Sequence, residues 1–237
     1  MPMSKVFGKR SKSVVHDEDH WISVSDLMAG LMMVFMFISI SLMRDAMIER
    51  DKIKEVAVTY QENQQAIYNA LLDEFKADMD EWGAEIDQNT LSFNFNSPEV
   101  LFSLGRSDIK PAFKTILNDF LPRYLATLDK FKDNIDEVRI EGHTSSRWNH
   151  DSSENEAYFN NMKLSQGRTR AVLAYSNSID STLPYRDWMR RYIAAVGFSS
   201  SKLILNKDGT ENSQKSQRVS FRVISNAETQ IRKILGS

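Results

Sequence analysis

The segment Trp21–Met43, WISVSDLMAGLMMVFMFISISLM, is apolar or hydroxylic throughout except for one charge, Asp26. At about 1.5 Å per residue, a helix of this length reaches roughly 34 Å, against a bilayer hydrocarbon core of about 30 Å. The run is longer than the apolar region of a secretory leader, and it leads into no A-x-A-like cleavage site. After Met43 the chain continues RDAMIERDKIKE, the opening of a charged helix. The pattern predicts a retained membrane anchor over 21–43.

Charge does not orient that anchor. Lys5, Lys9, Arg10 and Lys12 precede it, while Arg44, Arg50, Lys52 and Lys54 come after it, so the positive-inside count is tied. The net charge is −2 with basic residues scattered along the chain, which speaks against a nucleic-acid footprint. The chain has no cysteine, which excludes disulfides and thiolate metal sites on either side of a membrane. Neither a nucleophile–base constellation, nor a phosphate loop, nor metal-ligand spacing stands out. No enzyme activity, resident metal or cofactor is therefore expected.

Residues 1–20 are polar and aperiodic, as in a flexible tail. From Arg44 to about Trp82 there is no Pro or Gly, and apolar residues recur at Ile53, Val56, Tyr60, Ile67, Leu71, Phe75 and Met79. Steps of three, four and seven predict a linker helix over 44–83 with one apolar stripe. The stripe fits pairing with a second copy and equally fits docking on the chain's own domain. Gly83 ends this helix. Strands are predicted at 91–95, 138–142, 192–196 and 217–224 from alternation, and helices from Pro111 to about Leu128 and from about Leu164 to Ser176. A Ser-, Asn- and Asp-rich loop covers 144–161. This alternation predicts a two-layer α/β domain of βαβ type over 84–237.

Asp26 carries the most chemistry. A carboxylate in a span costs about 2.5–3.5 kcal/mol at the bilayer centre and less near an end, so such residues face a bundle interior or a water-filled path. Ser23, Ser25, Ala29 and Gly30 around it permit close helix contact. The alternative is a solvated residue at the interface, although Trp21 is a natural interfacial anchor and places Asp26 about 7 Å deeper.

The stretch Trp21-Ile22-Ser23-Val24-Ser25-Asp26-Leu27-Met28-Ala29-Gly30-Leu31-Met32-Met33 resembles the membrane helix of MotB-type stator subunits. In that family the aspartate takes up and releases a transported proton or sodium ion, and the resemblance gives this role to Asp26. Leu27 departs from the aromatic residue usual in flagellar members. Farther on, Val100-Leu101-Phe102, Ile109-Lys110-Pro111, Glu141-Gly142-His143-Thr144, Asn161-Met162-Lys163-Leu164-Ser165-Gln166-Gly167-Arg168 and Gln217-Arg218-Val219-Ser220-Phe221 resemble the OmpA-like peptidoglycan-associating domain.

That resemblance implies a peptidoglycan pocket drawing on Thr144, Ser145, Asn161, Leu164, Arg168 and Arg218. Arg168 would grip a stem-peptide carboxylate. The family's acid, which would take the ammonium of diaminopimelate, is replaced by Ser145, with Asp151 or Glu154 as candidate substitutes. His143 reads as a packed or turn-capping residue.

Taken together the motifs look closest to the ZorB family of Zorya anti-phage defence systems, with a flagellar stator or a passive wall-binding anchor as the alternatives. The resemblance implies an inner-membrane protein with a cytoplasmic N-terminus and a periplasmic C-terminal domain. It also implies a homodimer inside a ring of MotA- or ZorA-like subunits, held to peptidoglycan.

Overall fold

The computed structural model describes residues 18–226. Most of the predicted tail, 1–17, and the end of the predicted domain, 227–237, lie outside the described residues. Helices α1 (Glu18–Phe75) and α2 (Met79–Trp82) come first, then strands β1 (Ala84–Asp87) and β2 (Ser92–Phe95). One turn, α3 (Pro98–Leu101), precedes α4 (Pro111–Asp129), β3 (Ile135–His143) and α5 (Glu154–Ser178). Last come α6 (Arg186–Tyr192), β4 (Ile193–Ser199), α7 (Ser213–Ser216) and β5 (Arg218–Ser225).

The chain divides into two units, Met1–Lys54 and Glu55–Ser237. In the first, α1 holds the one helical stretch among the described residues that is long and apolar enough to cross a membrane, with a mean hydropathy of 2.0 over its best window. None of that window is buried by the protein itself, and Leu27 and Met32 are about three-quarters exposed. Apolar side chains this open in water would be unstable, so lipid or partner helices must cover them.

The second unit is built on a five-stranded sheet of order β1-β2-β5-β3-β4. Its neighbours are antiparallel except β3 and β4, which run parallel and are joined through α5 and α6. This is the expected α/β fold with one strand more than the sequence announced. β1 (AEID) alternates weakly and is acidic, so periodicity did not reveal it. It is made by the turn, where the Asp87 carboxylate accepts from the backbone N–H groups of Asn89 (2.8 Å) and Thr90 (3.0 Å).

α5 starts at Glu154, ten residues before the predicted position. Ser153 and Glu156 form a capping box, in which the Ser153 hydroxyl accepts from Glu156 N–H and the Glu156 carboxylate accepts from Ser153 N–H. Most of the residues α5 buries are polar or charged, namely Asn161, Ser165, Arg168, Thr169 and Ser176. A hydrophobic repeat could not show them.

The core gathers around Phe120 on α4. Its ring lies 4.7 Å from Phe93, 5.1 Å from Phe75, 5.1 Å from Phe221 and 4.8 Å from Tyr124. Ile67, Leu71 and Phe75, the lower part of the α1 stripe, are fully buried in this core, so that part docks on its own domain. Tyr60 stays 40% exposed. Arg123 fastens the junction. Its guanidinium donates to Glu74 (2.7 Å), Asp78 (2.9 Å) and Asp119 (2.9 Å) and lies 4.8 Å from the Phe75 ring centroid.

Phe120→Ala removes the hub and leaves a cavity the flanking rings cannot close. The detergent-solubilised chain is expected to lose about 3–5 kcal/mol in chemical denaturation. A loss below about 1 kcal/mol would contradict this account of the core.

Candidate binding cleft

Two glycines place α5. Gly142 on β3 and Gly197 on β4 are register partners. A Cβ on Gly142 would stand 2.7 Å from the Ser165 carbonyl oxygen, and one on Gly197 would stand 2.6 Å from Gln166 N. The helix therefore rests on bare backbone, closer than any side chain permits. Ser165 seals the contact: its hydroxyl donates to the Met162 carbonyl (3.0 Å) and accepts from Ser199 N–H (3.1 Å).

Arg168, one turn further along, is only 7% exposed. Its Nε donates to the Arg106 carbonyl at 3.0 Å, and its guanidinium lies 4.9 Å from the Phe102 ring centroid. No carboxylate pairs with it among the described residues. Desolvation pushes its pKa down to about 10, which leaves it cationic at neutral pH but short of counter-charge. Next to it, reached by its neighbours Gly167 and Arg106 and not by Arg168 itself, opens a cleft of about 640 Å³ lined by Arg106, Ser107, Asp108, Trp148, Lys163 and Leu164 among others. With Arg106 and Lys163 on its lining, such a cleft suits an anionic group.

The other residues named from sequence divide between cleft and frame. Leu164 lines the cleft. Asn161 shapes it, donating its amide to the carbonyls of Ser145 (3.1 Å) and Arg147 (3.2 Å) and so clamping the loop after β3 to α5. Ser145 and Thr144 are buried, and the Thr144 N–H donates to Ser199 O at 2.9 Å. Arg218 belongs to the frame. Like Arg168 it is not among the residues lining the cleft, and its guanidinium donates to the carbonyls of Lys202, Lys215 and Ser216. Asp151 is exposed and has only His150 nearby, and Glu154 lines a neighbouring hollow. Among the described residues neither hydrogen-bonds to Ser145.

No family model matches the sequence. The curated Zorya protein ZorB of Escherichia coli is 54% identical over 233 residues, covering 98% of this chain and 99% of that protein. The chain belongs to the ZorB family. Among solved structures, a MotB-like protein from Desulfovibrio vulgaris matches with a TM-score of 0.50 at 21% identity, covering 70% of this chain and 93% of that one. That likeness shows a shared fold. The periplasmic domain of Helicobacter pylori MotB matches with a TM-score of 0.43 at 14% identity, covering 64% of this chain and 88% of that one.

In this ZorB-family chain two acids stand where sequence reasoning did not look. Asp108 lines the cleft, paired with Arg106 at 2.8 Å. Glu211 accepts from the backbone N–H (3.1 Å) and the hydroxyl of Ser146, next to Ser145. Asp108 lies between two motif segments, Val100–Phe102 and Ile109–Pro111, and belongs to neither. Glu211 arrives from 65 residues away, and no spacing signal announces it.

Behind the cleft loop, His143 is buried and stacked on Phe198, with Nε2 3.4 Å from Glu141. Desolvation lowers its pKa, opposed by Glu141 and reinforced by the charges of Arg218 and Lys202. The unfolded chain takes a proton here near pH 6.5, whereas the folded chain resists it. Stability from this group is complete above about pH 6.5 and is lost as the pH falls through the folded value. Denaturation of the full chain from about pH 7.5 to 5 should show that loss, with a slope from this site of at most about 1.4 kcal/mol per pH unit. His143→Gln should flatten it. An unchanged profile in the variant would refute the assignment.

Proposed function

We propose that this chain is the ion-conducting stator-type subunit of an inner-membrane motor complex that is anchored to peptidoglycan and serves Zorya anti-phage defence. The observation that carries the reading is Asp26, a lone carboxylate in the apolar part of α1, within a chain 54% identical to a Zorya protein ZorB. That relationship favours Zorya over a flagellar stator. A passive tether would be better served by an apolar residue at position 26.

The α1 surface from Val24 to Met43 is exposed throughout, with no cover from the described residues. Two copies, their Asp26 residues facing inward, would sit inside a ring of ZorA-like subunits that supplies it. An ion, H+ or Na+, arriving from the periplasmic side neutralises the Asp26 carboxylate, and its departure restores the charge. A buried carboxylate switching between these states changes its desolvation cost by a few kcal/mol, enough to favour a different arrangement of the ring around it. The N-terminus is cytoplasmic and the sheet domain periplasmic. There Arg168 takes a stem-peptide carboxylate, and Asp108, in the same cleft, offers the counter-charge for an ammonium.

Asp26→Asn keeps the side chain's shape and removes its proton cycle. In cells carrying the complete defence system, phage protection is expected to fall to that of the empty vector, with normal membrane levels of the variant. Protection equal to the parent's would defeat the ion-carrier role. Arg168→Ala tests the anchor. Charge-assisted hydrogen bonds contribute about 1.5–3 kcal/mol, so sedimentation with purified peptidoglycan should weaken at least tenfold and be salt-sensitive in the parent. Unchanged sedimentation would remove the cleft from wall binding.

A further inference from the structure

Two aromatic rings near the Arg168 cleft take no part in the core. Trp148, in the loop after β3, is 39% exposed, and Phe159, on the first turns of α5, is 61% exposed. Both leave apolar ring surface in water that a ligand could cover. Both rings line hollows that share residues. Trp148 borders the Arg168 cleft and a second hollow of about 680 Å³, and Phe159 borders a third of about 530 Å³. Asn160 is common to the first and third, while Asn149 and Asn155 are common to the second and third. The hollows are therefore neighbours, with Arg106, Asp108 and Lys163 at one end and, at the other, aromatic rings and amides together with Arg147, Asp151, Glu154 and Glu156.

We propose that Trp148 and Phe159, together with Asn149, Asn155 and Asn160, form a platform for N-acetylated hexosamine rings adjoining the anion site of Arg168. A pyranose has C–H faces that lie on an aromatic ring and hydroxyls around its edge. Asparagine amides, each both donor and acceptor, match those hydroxyls and the N-acetyl group. A docking protein helix would need a continuous apolar stripe, which the three amides interrupt. A free anion would use only the Arg106 and Lys163 end. Rings and amides beside the Arg106 and Lys163 cations match a ligand whose acidic peptide is joined to a sugar chain.

This inference rests on the wall-binding reading, and the experiment separates the two. The full chain in detergent is titrated with three probes: a disaccharide carrying its stem peptide, the same peptide freed of sugar, and a tetramer of N-acetylglucosamine. The parent should bind the disaccharide-peptide about three- to tenfold more tightly than the free peptide. Phe159→Ala should erase most of that gain and leave free-peptide affinity unchanged, while Trp148→Ala, whose ring also lines the cleft, should weaken disaccharide-peptide binding more than free-peptide binding and Trp148→Tyr should retain the gain. The tetramer should bind weakly, and lose binding in both alanine variants.

Equal affinity of the parent for sugar-bearing and sugar-free peptide overturns the platform but leaves wall binding intact. So does an equal loss of both in Trp148→Ala, or a change in oligomeric state with no change in sugar-dependent binding. Failure of the parent to bind any of the three overturns the wall-binding reading as well.

Discussion

The seating of α5 on Gly142 and Gly197 governs the rest of the C-terminal unit. With no Cβ at either position, helix and sheet meet backbone to backbone, and a side chain there would push α5 outward by about an ångström or more. Arg168, Asn161 and Ser165 ride on that helix. Through Asn161 the seating also fixes the loop carrying Ser145, and through Ser165 it fixes the end of β4. The cleft is thus a by-product of helix–sheet contact, and its geometry is as rigid as the core beneath it.

Much of this could be read from the sequence, for identifiable reasons. The span was visible because a bilayer imposes a length and an apolarity that few other environments demand. β3 and β5 were visible through alternation, and α4 through Phe113, Leu117, Phe120 and Tyr124. The motif ending at Arg168 located the cation, and the structure adds why it stands out, since it is buried without a carboxylate. The start of α5 was missed because its inward face is polar, its serines and threonines bonding to backbone instead of packing as hydrophobes. β1 was missed because an Asx turn specifies it. Glu211 was beyond reach because its contact is made by tertiary folding across 65 residues.

Replacing the expected acid by Ser145 changes the electrostatics of the cleft. A carboxylate beside Arg168 would satisfy the guanidinium internally and compete with an incoming anion. With Ser145 in that position, and Glu211 engaged by Ser146, Arg168 keeps its desolvation penalty until a ligand relieves it. On the wall-binding reading, part of that penalty would return as affinity for a stem-peptide carboxylate.

Magnitudes limit how such a site can anchor a machine. An ion falling through about 100 mV releases about 2.3 kcal/mol, and one charge-assisted hydrogen bond contributes about 1.5–3 kcal/mol. On the stator reading, a tether held by Arg168 alone would be loaded by each ion step to about the strength of its own bond. Two copies on the same wall change that balance. When one is released, the other keeps it at high local concentration, and avidity of this kind can exceed single-site affinity by about 10²–10⁴. Contacts along the groove beyond the cation slow each release further. On that reading, a wall anchor of this design would draw its holding strength from paired copies and a shared groove, while the single arginine would set which chemical group is held.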